Sequence, residues 1–397
     1  DQLFMIRTAK KMGLKVIALD KNINAPGFKV SDEFAVISTK DLDSIFNFID
    51  TYQNKNSKIH GVSTMGSDIP NIVARVADYL KTPSISIKSA DLATNKFQMK
   101  EQFVKYQVAT PKYMLIDNIN DLDIAFSKFG ERLVLKPIDQ AGSRGVSLIT
   151  KNDDLNSLFN HAMSTTNEKN ILVEEFISGP QISTESLILD GELYTPGFAD
   201  RNYDDLELFR PQIMENGGWV PSLYENDREN ILKEIKKSAI SLGIDNSIIK
   251  GDVVLSNKGP LVIEIAARLS GGDFSESLVP LGIGVNYVKS VIELAIGHKP
   301  NLNDIKPKFS KSAANRYFFG KPGKLIDIKG IEAVKSKDWI LKFEIWYKPG
   351  DYLPKISSHG QRTGVFVVVG STRQIVQERI NWVYETLNFI IDDKQIP

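Results

Sequence analysis

The chain has 397 residues, 42% of them hydrophobic, and its 49 basic side chains balance 49 acidic ones. This length predicts roughly two or three globular domains, and such a charge balance is not typical of a nucleic-acid or membrane surface. The absence of cysteine excludes disulfides, thiolate metal sites and a cysteine nucleophile. No apolar run approaches the roughly 18 residues of a membrane span, and no signal peptide is recognisable. We therefore expect a cytoplasmic enzyme.

The first 90 residues alternate short apolar strands with amphipathic helices, which predicts an α/β unit with a mostly parallel sheet. The predicted elements are a helix over residues 1–13, strands at 15–20, 33–37 and 60–63, and helices at 42–52 and 69–80. A Rossmann-like unit has a strand and a glycine-rich turn before this helix, so we expect about ten residues to precede Asp1. Residues 63–68 lie between a strand and a helix, where open sheets bind anions, although helix capping explains them equally well.

From about residue 91 the order of the elements changes, and the chain divides into residues 1–90, 91–300 and 301–397. The middle part predicts helices at 96–106, 122–129, 155–164, 228–242 and 286–296, and strands at 132–137, 146–149, 171–176 and 184–189. Residues 196–222 have little periodicity, which predicts a long functional loop. The last part predicts strands at 313–319, 339–347 and 364–370, followed by a helix at 372–387.

Residues 251–272 contain the most informative pattern. Asp252 and Glu264 lie on two predicted strands joined by a short turn, and because side chains alternate with period two, both carboxylates can point to one side of the sheet. Arg268 follows shortly after Glu264. Two oxygen ligands beside a guanidinium suit Mg²⁺ and the polyphosphate it carries. A surface hairpin with solvated charges is the alternative, but Glu264 lies inside an apolar run, where an unpaired carboxylate is costly.

A second motif combines a lysine with a glycine-rich turn. Lys136 ends a predicted strand, where it should contribute little to a core, and a loop containing Gly142, Ser143 and Gly145 follows. Glycines let backbone amides turn toward phosphate oxygens, and the lysine adds a point charge. A plain hairpin explains the same pattern, and the loop lacks the GxxxxGK[ST] form of a P-loop NTPase. Lys96 is a second candidate phosphate ligand or simply a solvated lysine.

A third motif ends the strand predicted at 171–176. Glu174 and Glu175 are followed by Phe176 and Ile177 and then by a turn. Free backbone N–H and C=O groups at such a strand end can pair with the edge of an adenine ring. An ordinary strand terminus is the alternative interpretation.

In this order, the segments NKFQMK with ATPK, VLKPIDQAGSRGVSLI, VEEFISGPQIS and DVV…GPLVIEIAARLSGG resemble the ATP-grasp superfamily. The resemblance covers roughly residues 1–390 and is in particular to the carboxylate–amine ligase branch, which includes amino-acid and purine-pathway ligases. It implies an α/β (α+β) ATP-grasp fold. Residues 1–90 would form a partial Rossmann-like domain, 91–300 the ATP-grasp domain that binds ATP and Mg²⁺, and 301–397 a small C-terminal α/β module.

The resemblance also implies roles for single residues in nucleotide binding. Lys96 and Lys136 would contact the ATP phosphates, with the glycine loop (residues 142–145) closing over them. Glu174 would bind the adenine amino group, and the backbone of residues 175–177 would bind the ring. Gln181 stands where many relatives have an acidic residue or a histidine near the ribose.

For catalysis, the resemblance implies that Asp252 and Glu264 hold Mg²⁺, with Mn²⁺ as an alternative, and that Arg268 neutralises an acyl phosphate and the tetrahedral intermediate. Two positions depart from the family pattern. Asp252 replaces a frequent glutamate, and Ala266 replaces a frequent asparagine, which leaves a second Mg²⁺ one protein ligand short unless water or phosphate fills the place.

The implied activity is an ATP-dependent ligase that joins a small carboxylic acid to an amine and releases ADP and phosphate. Such chemistry depends on positioning and charge neutralisation, and it needs no protein nucleophile. A carboxylase or formate-using ligase is the alternative among enzymes, and Ala266 leaves open an ATP-binding module without turnover. We expect small-molecule partners, with neither nucleic acid nor membrane, and a homodimer stays open.

The sequence does not define the substrates. Five side chains in the predicted loop either line the substrate pocket or belong to a lid without substrate contact: Arg201, Tyr203, Phe209, Arg210 and Trp219. The histidines lack the spacing of metal ligands and are interpreted as structural or surface residues: His60, His161, His298 and His359.

Overall fold

The computed structural model describes residues 2–392, and its first unit is a small α/β layer. Its elements are α1 (Gln2–Lys11), β1 (Ile17–Asp20), β2 (Glu33–Val36), α2 (Leu42–Gln53) and α3 (Pro70–Leu80). Strands β1 and β2 pair in parallel, as the alternating pattern predicts. The strand predicted at 60–63 is wrong: within residues 2–392 the sheet of this unit contains β1 and β2 alone, and residues 60–63 are irregular. Asp1, the predicted start of α1, lies outside the described residues.

The next unit is a lobe built on a small antiparallel sheet. The elements of this stretch are α4 (Ile87–Thr94), α5 (Lys96–Lys105), β3 (Tyr113–Ile116), α6 (Asp121–Phe129), β4 (Leu133–Pro137), β5 (Ser147–Ile149), α7 (Leu155–Ser164) and β6 (Ile171–Glu175). The four strands lie in the order β3-β6-β4-β5. Alternate residues of β4 and β6, such as Leu135 and Val173, are fully buried against α6 and α7. We call residues 113–175 the small lobe, because they have this core of their own.

The remaining chain builds a larger sheet. Its elements begin with β7 (Gln181–Leu189), β8 (Glu192–Arg201), α8 (Leu206–Phe209), β9 (Gly218–Val220), α9 (Arg228–Leu242), β10 (Ser247–Ser256), β11 (Gly259–Ala266), α10 (Val279–Ile283) and α11 (Tyr287–Ala295). They continue with β12 (Ser312–Phe318), β13 (Gly323–Lys329), α12 (Ile331–Lys335), β14 (Ile340–Ile345), β15 (Tyr352–Leu353), β16 (Gly364–Gly370), α13 (Arg373–Thr386) and β17 (Asn388–Asp392). Eight strands pair in the order β11-β10-β7-β8-β9-β12-β16-β14.

This order makes one continuous sheet from strands on both sides of residue 300. Strand β12 pairs with β9 through Ala314 and Trp219, so strands near the C-terminus extend the sheet that begins with β7. The three-domain division stays a prediction. The loop predicted over residues 196–222 is wrong at its two ends, because β8 continues to Arg201 and β9 lies beside it, with Asp200 opposite Trp219. Between the two strands the chain is irregular except for α8.

Two features of the fold position the cleft described below. Helix α5 begins at Lys96 because the side chain of Asn95 accepts a hydrogen bond from the Gln98 N–H, which caps the helix. The core beneath β7, β10 and β11 includes Ile182, Ile249 and residues of α5 and α9, which hold the large sheet against these helices. None of the helices within residues 2–392 has the length and apolarity needed to cross a membrane.

Candidate functional site

The predicted carboxylate hairpin is present. Strands β10 and β11 are antiparallel, and Asp252 lies directly opposite Glu264, with a β-bulge immediately after Asp252. Side chains directly opposite each other in such a pair project from the same face of the sheet, with Cβ atoms about 5 Å apart. The Glu264 side chain is 34% exposed and the Asp252 side chain 23% exposed, so both can reach a ligand in the cleft.

The surroundings of Asp252 keep its carboxylate ionised. Its Oδ1 accepts a hydrogen bond from Ser183 Oγ at 3.0 Å, and its Oδ2 forms an ion pair with Lys250. Burial by itself would raise the pKa of Asp252, but Lys250 and then Arg201 hold that pKa below its ordinary value. An ionised carboxylate is the ligand that a hard cation needs.

The donor set fits Mg²⁺ that arrives with a nucleotide. Among residues 2–392 no group of three or more histidine, aspartate or glutamate side chains is arranged to hold a metal ion by itself. Magnesium is commonly bound by one or two carboxylates and by substrate phosphates, with water in the remaining places. Asp252 and Glu264 supply two carboxylates, and Lys96 Nζ lies 3.8 Å from Glu264 Oε2. A cation at the start of a helix opposes the helix dipole, so the position of Lys96 is not explained by helix stability.

Lys136 and Glu174 belong to a buried charge cluster. Lys136 Nζ lies 2.7 Å from Glu174 Oε1, and Lys100 Nζ lies 3.3 Å from the same oxygen. Burial would raise the pKa of Glu174, but Lys100 and Lys136 together lower it. Burial also lowers the pKa of Lys100 to about 8, despite the attraction of Glu174. The cluster contains two cations and one anion, a balance that favours an additional negative charge.

This cluster changes two expectations. Lys136 is buried, with 6% of its side chain exposed, so it contributes to the interior of the small lobe rather than little to a core. The side chain of Glu174 is engaged by two lysines, whereas the resemblance implied that it binds adenine. Lys100 was not singled out by the sequence, because a lysine within an amphipathic helix is most often solvated. Its partner lies in β6, and only the fold brings the two together.

The glycine loop connects β4 to β5 as predicted. Gly142, Ser143 and Gly145 all have positive φ, at 65°, 59° and 69°. At Gly145 a Cβ atom would lie 2.3 Å from Thr165 Oγ1, so glycine is required there for close packing as well as for backbone conformation. Lys96 reaches the start of the loop, where its Nζ donates a hydrogen bond to the carbonyl oxygen of Gln140.

The strand end after Glu174 lines the same cleft as the loop. Glu175, Phe176, Ile177 and Gln181 all border this cleft. The N–H groups of Glu175 and Phe176 are not free, contrary to expectation, since they donate to Lys112 O at 3.0 Å and to Arg132 O at 3.1 Å. The segment still contributes its other backbone groups and an aromatic ring to the lining of the cleft.

The structure brings almost all of the predicted site residues into one cleft between the small lobe and the large sheet. The predicted residues lining it are Lys96, Lys136, Gly142, Ser143, Glu174, Glu175, Phe176, Ile177, Gln181, Asp252 and Glu264. Gly145 lies just behind it, at the base of the loop. Arg268 does not line this cleft. It borders a separate cavity beside residues 62–64, and its Nη2 lies 2.5 Å from Asp68 Oδ1.

A polar cluster lies beside Asp252, and of its members the sequence analysis named Arg201 alone. Arg201 Nη1 is 3.6 Å from Glu215 Oε1, and Arg362 Nη2 is 3.2 Å from Glu215 Oε2. Burial would raise the pKa of Glu215, but Arg201 and Arg362 lower it. The Arg362 guanidinium stacks 3.7 Å from the centre of the Tyr317 ring. Among residues 2–392, Tyr317 Oη, Glu215 Oε1 and Arg362 Nε have no hydrogen-bond partner, although all are buried.

No local motif marks this cluster. Glu215 and Arg362 are separated by 147 residues, and Tyr317 lies in a strand of the C-terminal part. Of the five side chains named in the predicted loop, Arg201 and Tyr203 line the cleft. The other three are held elsewhere: Arg210 pairs with Asp153 at 2.9 Å, Phe209 packs on Phe319, and Trp219 lies beneath Arg316 and Arg373.

Comparisons with known proteins agree with this geometry. Residues 93–272 match the family model described as ATP-grasp domain, and residues 316–392 match the one described as L-amino acid ligase C-terminal domain 2. The chain is 26% identical over 259 residues to alanine–anticapsin ligase of Bacillus subtilis, an alignment covering 58% of this chain and 53% of that enzyme. It is 25% identical over 181 residues to formate-dependent phosphoribosylglycinamide formyltransferase of Prochlorococcus marinus, covering 44% of each. The chain thus spans about half the length of these two relatives.

Among solved structures, L-amino acid ligase from Bacillus licheniformis superposes with a TM-score of 0.83 at 20% identity, covering 98% of this chain and 96% of that one. At this identity the likeness shows the fold. Together with the two matched family models, it confirms the resemblance seen in the sequence motifs. Residues 93–272 therefore carry the ATP-grasp domain that the sequence motifs resemble, and residues 316–392 are similar to the C-terminal domain of L-amino acid ligases.

Proposed function

We propose that this chain is an ATP-dependent ligase that joins a small carboxylic acid to an amine through an acyl phosphate and releases ADP and phosphate. One observation supports this above the others. The cleft places the opposed carboxylates Asp252 and Glu264 on one wall and the lysines Lys96 and Lys136 near the glycine loop. Anionic oxygens, a divalent cation and fixed positive charges are what phosphoryl transfer requires.

The nucleotide would lie along the cleft between the two sheets. Its adenine would pair with the backbone of residues 175–177 and rest near Phe176, and Gln181 would approach the ribose. Its phosphates would face Lys96, Lys136 and the glycine loop. The cluster of Lys100, Lys136 and Glu174 has one more positive than negative charge. This excess supports an orientation of the nucleotide in which the phosphates lie at this cluster and supply the balancing negative charge.

Mg²⁺ would be held by Asp252 and Glu264 together with phosphate oxygens. When bound, the ion neutralises charge on the phosphates and orients the transferred group. Asp252 is ionised and fixed by Ser183 and Lys250, so this chain presents one preorganised oxygen ligand. Mn²⁺ as an alternative ion, a homodimer and a cytoplasmic location stay predictions.

The substrate carboxylate would bind at the cluster of Arg201, Glu215 and Arg362. This cluster has two guanidinium groups and one carboxylate, so it attracts one more anion, and it adjoins Asp252 through Ser183. Glu215 Oε1 and Tyr317 Oη, which accept or donate no hydrogen bond within residues 2–392, offer polar contacts to an amine or hydroxyl. Arg268 would release its ion pair with Asp68 and then stabilise the negative charge on the intermediate.

An amino acid is our proposed substrate class. The match of residues 316–392 to an L-amino acid ligase domain supports it, because these residues contribute Tyr317 and Arg362 to the cluster. A formate-using ligase is the second candidate, and the similarity to formate-dependent phosphoribosylglycinamide formyltransferase favours it over a carboxylase.

The test is phosphate release from Mg·ATP with a panel of amino acids, singly and in pairs, and with formate. We expect release that depends on an added acid and rises further with an amine, with ADP as the nucleotide product on chromatography. The Glu264→Gln variant is the matched control and should release phosphate about 10²–10³-fold more slowly. AMP and pyrophosphate as products would contradict an acyl-phosphate mechanism, and nucleotide binding without release under any condition would favour a sensing module.

A further inference from the structure

A histidine from the C-terminal part of the chain touches the tip of the glycine loop. The backbone N–H of His359 donates a hydrogen bond to the carbonyl oxygen of Gly142 at 3.2 Å. The Nε2 atom of the same residue lies 3.2 Å from Ser143 Oγ. The two residues are 216 positions apart in the chain, so this contact joins two parts that meet only in the folded molecule.

The imidazole is arranged as a hydrogen-bond acceptor at Nε2. The backbone N–H of Glu215 donates to this atom at 3.4 Å, which requires that Nε2 carries no proton. Burial, with the neighbouring Arg362 as the next cause, lowers the pKa of His359 to about 3, so the ring is neutral. The hydroxyl of Ser143 therefore acts as a donor to Nε2 and shares the single lone pair of that atom with the more distant Glu215 N–H.

The turn that carries His359 is itself well fixed. Ser358 and Gln361 form a reciprocal capping box around it. The next residue, Arg362, bonds the carbonyl oxygen of Glu215 and pairs with its carboxylate. His359 is thus held by the same residues that form the polar cluster beside Asp252, and it presents a rigid surface to the loop.

The loop tip depends on this surface. Within residues 2–392, every hydrogen bond between residues 141–144 and a residue outside the segment 141–146 goes to His359. The remaining bonds of the tip are internal, from Arg144 N to Ala141 O and from Val146 N to Ser143 O. A loop with few external bonds is a locally weak part of a structure, and its position responds to each remaining contact.

We propose that His359 is a positioning residue that holds the glycine loop closed over the nucleotide phosphates. The C-terminal segment then takes part in nucleotide binding without touching the nucleotide. This inference rests on the proposed function, since it assumes that the loop covers the phosphates of a bound nucleotide.

The test is the affinity for the nonhydrolysable analogue AMPPNP with Mg²⁺, measured by calorimetry on the full chain. His359→Ala and Ser143→Ala should each weaken binding about three- to tenfold, as expected for one lost hydrogen bond. The double variant should be no weaker than the stronger single variant, because both changes remove the same contact. His359→Gln places an amide acceptor near the position of Nε2 and should restore affinity to within about twofold.

Each outcome decides between the two proposals. Additive losses in the double variant, or unchanged affinity in His359→Ala, would overturn the role of His359 while leaving the nucleotide site in place. Failure of the unaltered chain to bind AMPPNP would overturn the nucleotide site and this role with it. If His359→Ala does not fold, the other two variants decide. The proposal is overturned if Ser143→Ala binds AMPPNP as tightly as the unaltered chain, or if His359→Gln folds normally but does not bind AMPPNP. It is supported if Ser143→Ala binds AMPPNP more weakly and His359→Gln binds it normally.

Discussion

The two lysines that share Glu174 should differ in what they do, although they lie at similar distances from it. Both pair with the same buried oxygen, but Lys136 lines the cleft in which we propose that the nucleotide binds, and Lys100 does not. Lys136→Met should therefore weaken both folding and nucleotide binding, whereas Lys100→Met should weaken folding alone. Glu174→Gln is the third variant, and it removes the anion that both lysines need.

The distances determine the order of the stability losses. With an effective dielectric constant of about 20, the contacts at 2.7 Å and 3.3 Å correspond to gross attractions of about 6 and about 5 kcal/mol before desolvation. Loss of either lysine leaves Glu174 with a partner of similar strength, so each lysine variant should lose only about 1–2 kcal/mol of unfolding free energy. Glu174→Gln leaves two buried cations without an anion and should lose about 3–5 kcal/mol.

Urea denaturation followed by circular dichroism gives the unfolding free energies, and calorimetry with Mg·AMPPNP gives the affinities. We expect at least a tenfold (about 1.4 kcal/mol) loss of affinity for Lys136→Met and a change of about twofold or less for Lys100→Met. Equal losses of affinity in the two lysine variants would refute the assignment of Lys136 to the phosphates. Glu174→Gln that is no less stable than Lys136→Met would refute the account of the cluster.

Three further predictions follow from other parts of the structure. Asp252→Asn and Glu264→Gln should each lower phosphate release about 10²–10³-fold, and activity within twofold of the unaltered chain would contradict the metal assignment. Arg268→Met should lower kcat far more than it raises KM for ATP. Asp68→Asn, which keeps the guanidinium, should leave kcat nearly unchanged. Equal losses of kcat in the two variants, measured by steady-state assays, would indicate a purely structural ion pair. Burial raises the pKa of Glu185 from 4.5 to about 7, so the folded state binds this proton more tightly than the unfolded chain, and stability falls as pH rises through this interval. Glu185→Gln should remove that fall, which amounts to about 3 kcal/mol, and parallel pH profiles of urea denaturation for the two proteins would contradict it.

The carboxylate hairpin shows what a sequence contains by itself. That Asp252 faces Glu264 requires the β-bulge after Asp252, because the register set by the turn pairs Val253 with Val262 and would otherwise put Ile263 opposite Asp252. The hairpin itself follows from two short runs joined by a turn, which are local properties of the chain. The glycine loop is local in the same way, because the need for positive φ selects residues such as Gly142 and Gly145. The order of these motifs was enough to indicate the superfamily.

The failed predictions concern pairing between distant segments. Residues 60–63 have the composition of a strand, but they pair with neither strand of the described sheet of that unit, and composition alone does not determine pairing. Residues 196–222 lack periodicity, yet β8 and β9 are strands because their neighbours in the large sheet supply the hydrogen bonds.

Only the tertiary structure determines which charged and polar side chains of the site contact one another. Periodicity indicates which face of an element is covered, but it does not indicate which side chain covers it. Lys100 meets Glu174, Arg268 meets Asp68, and His359 meets the glycine loop, through contacts that join separate elements of the fold. The free energy of each contact depends on burial and on distances of a few ångströms, and these are set only when the lobes and sheets have packed together.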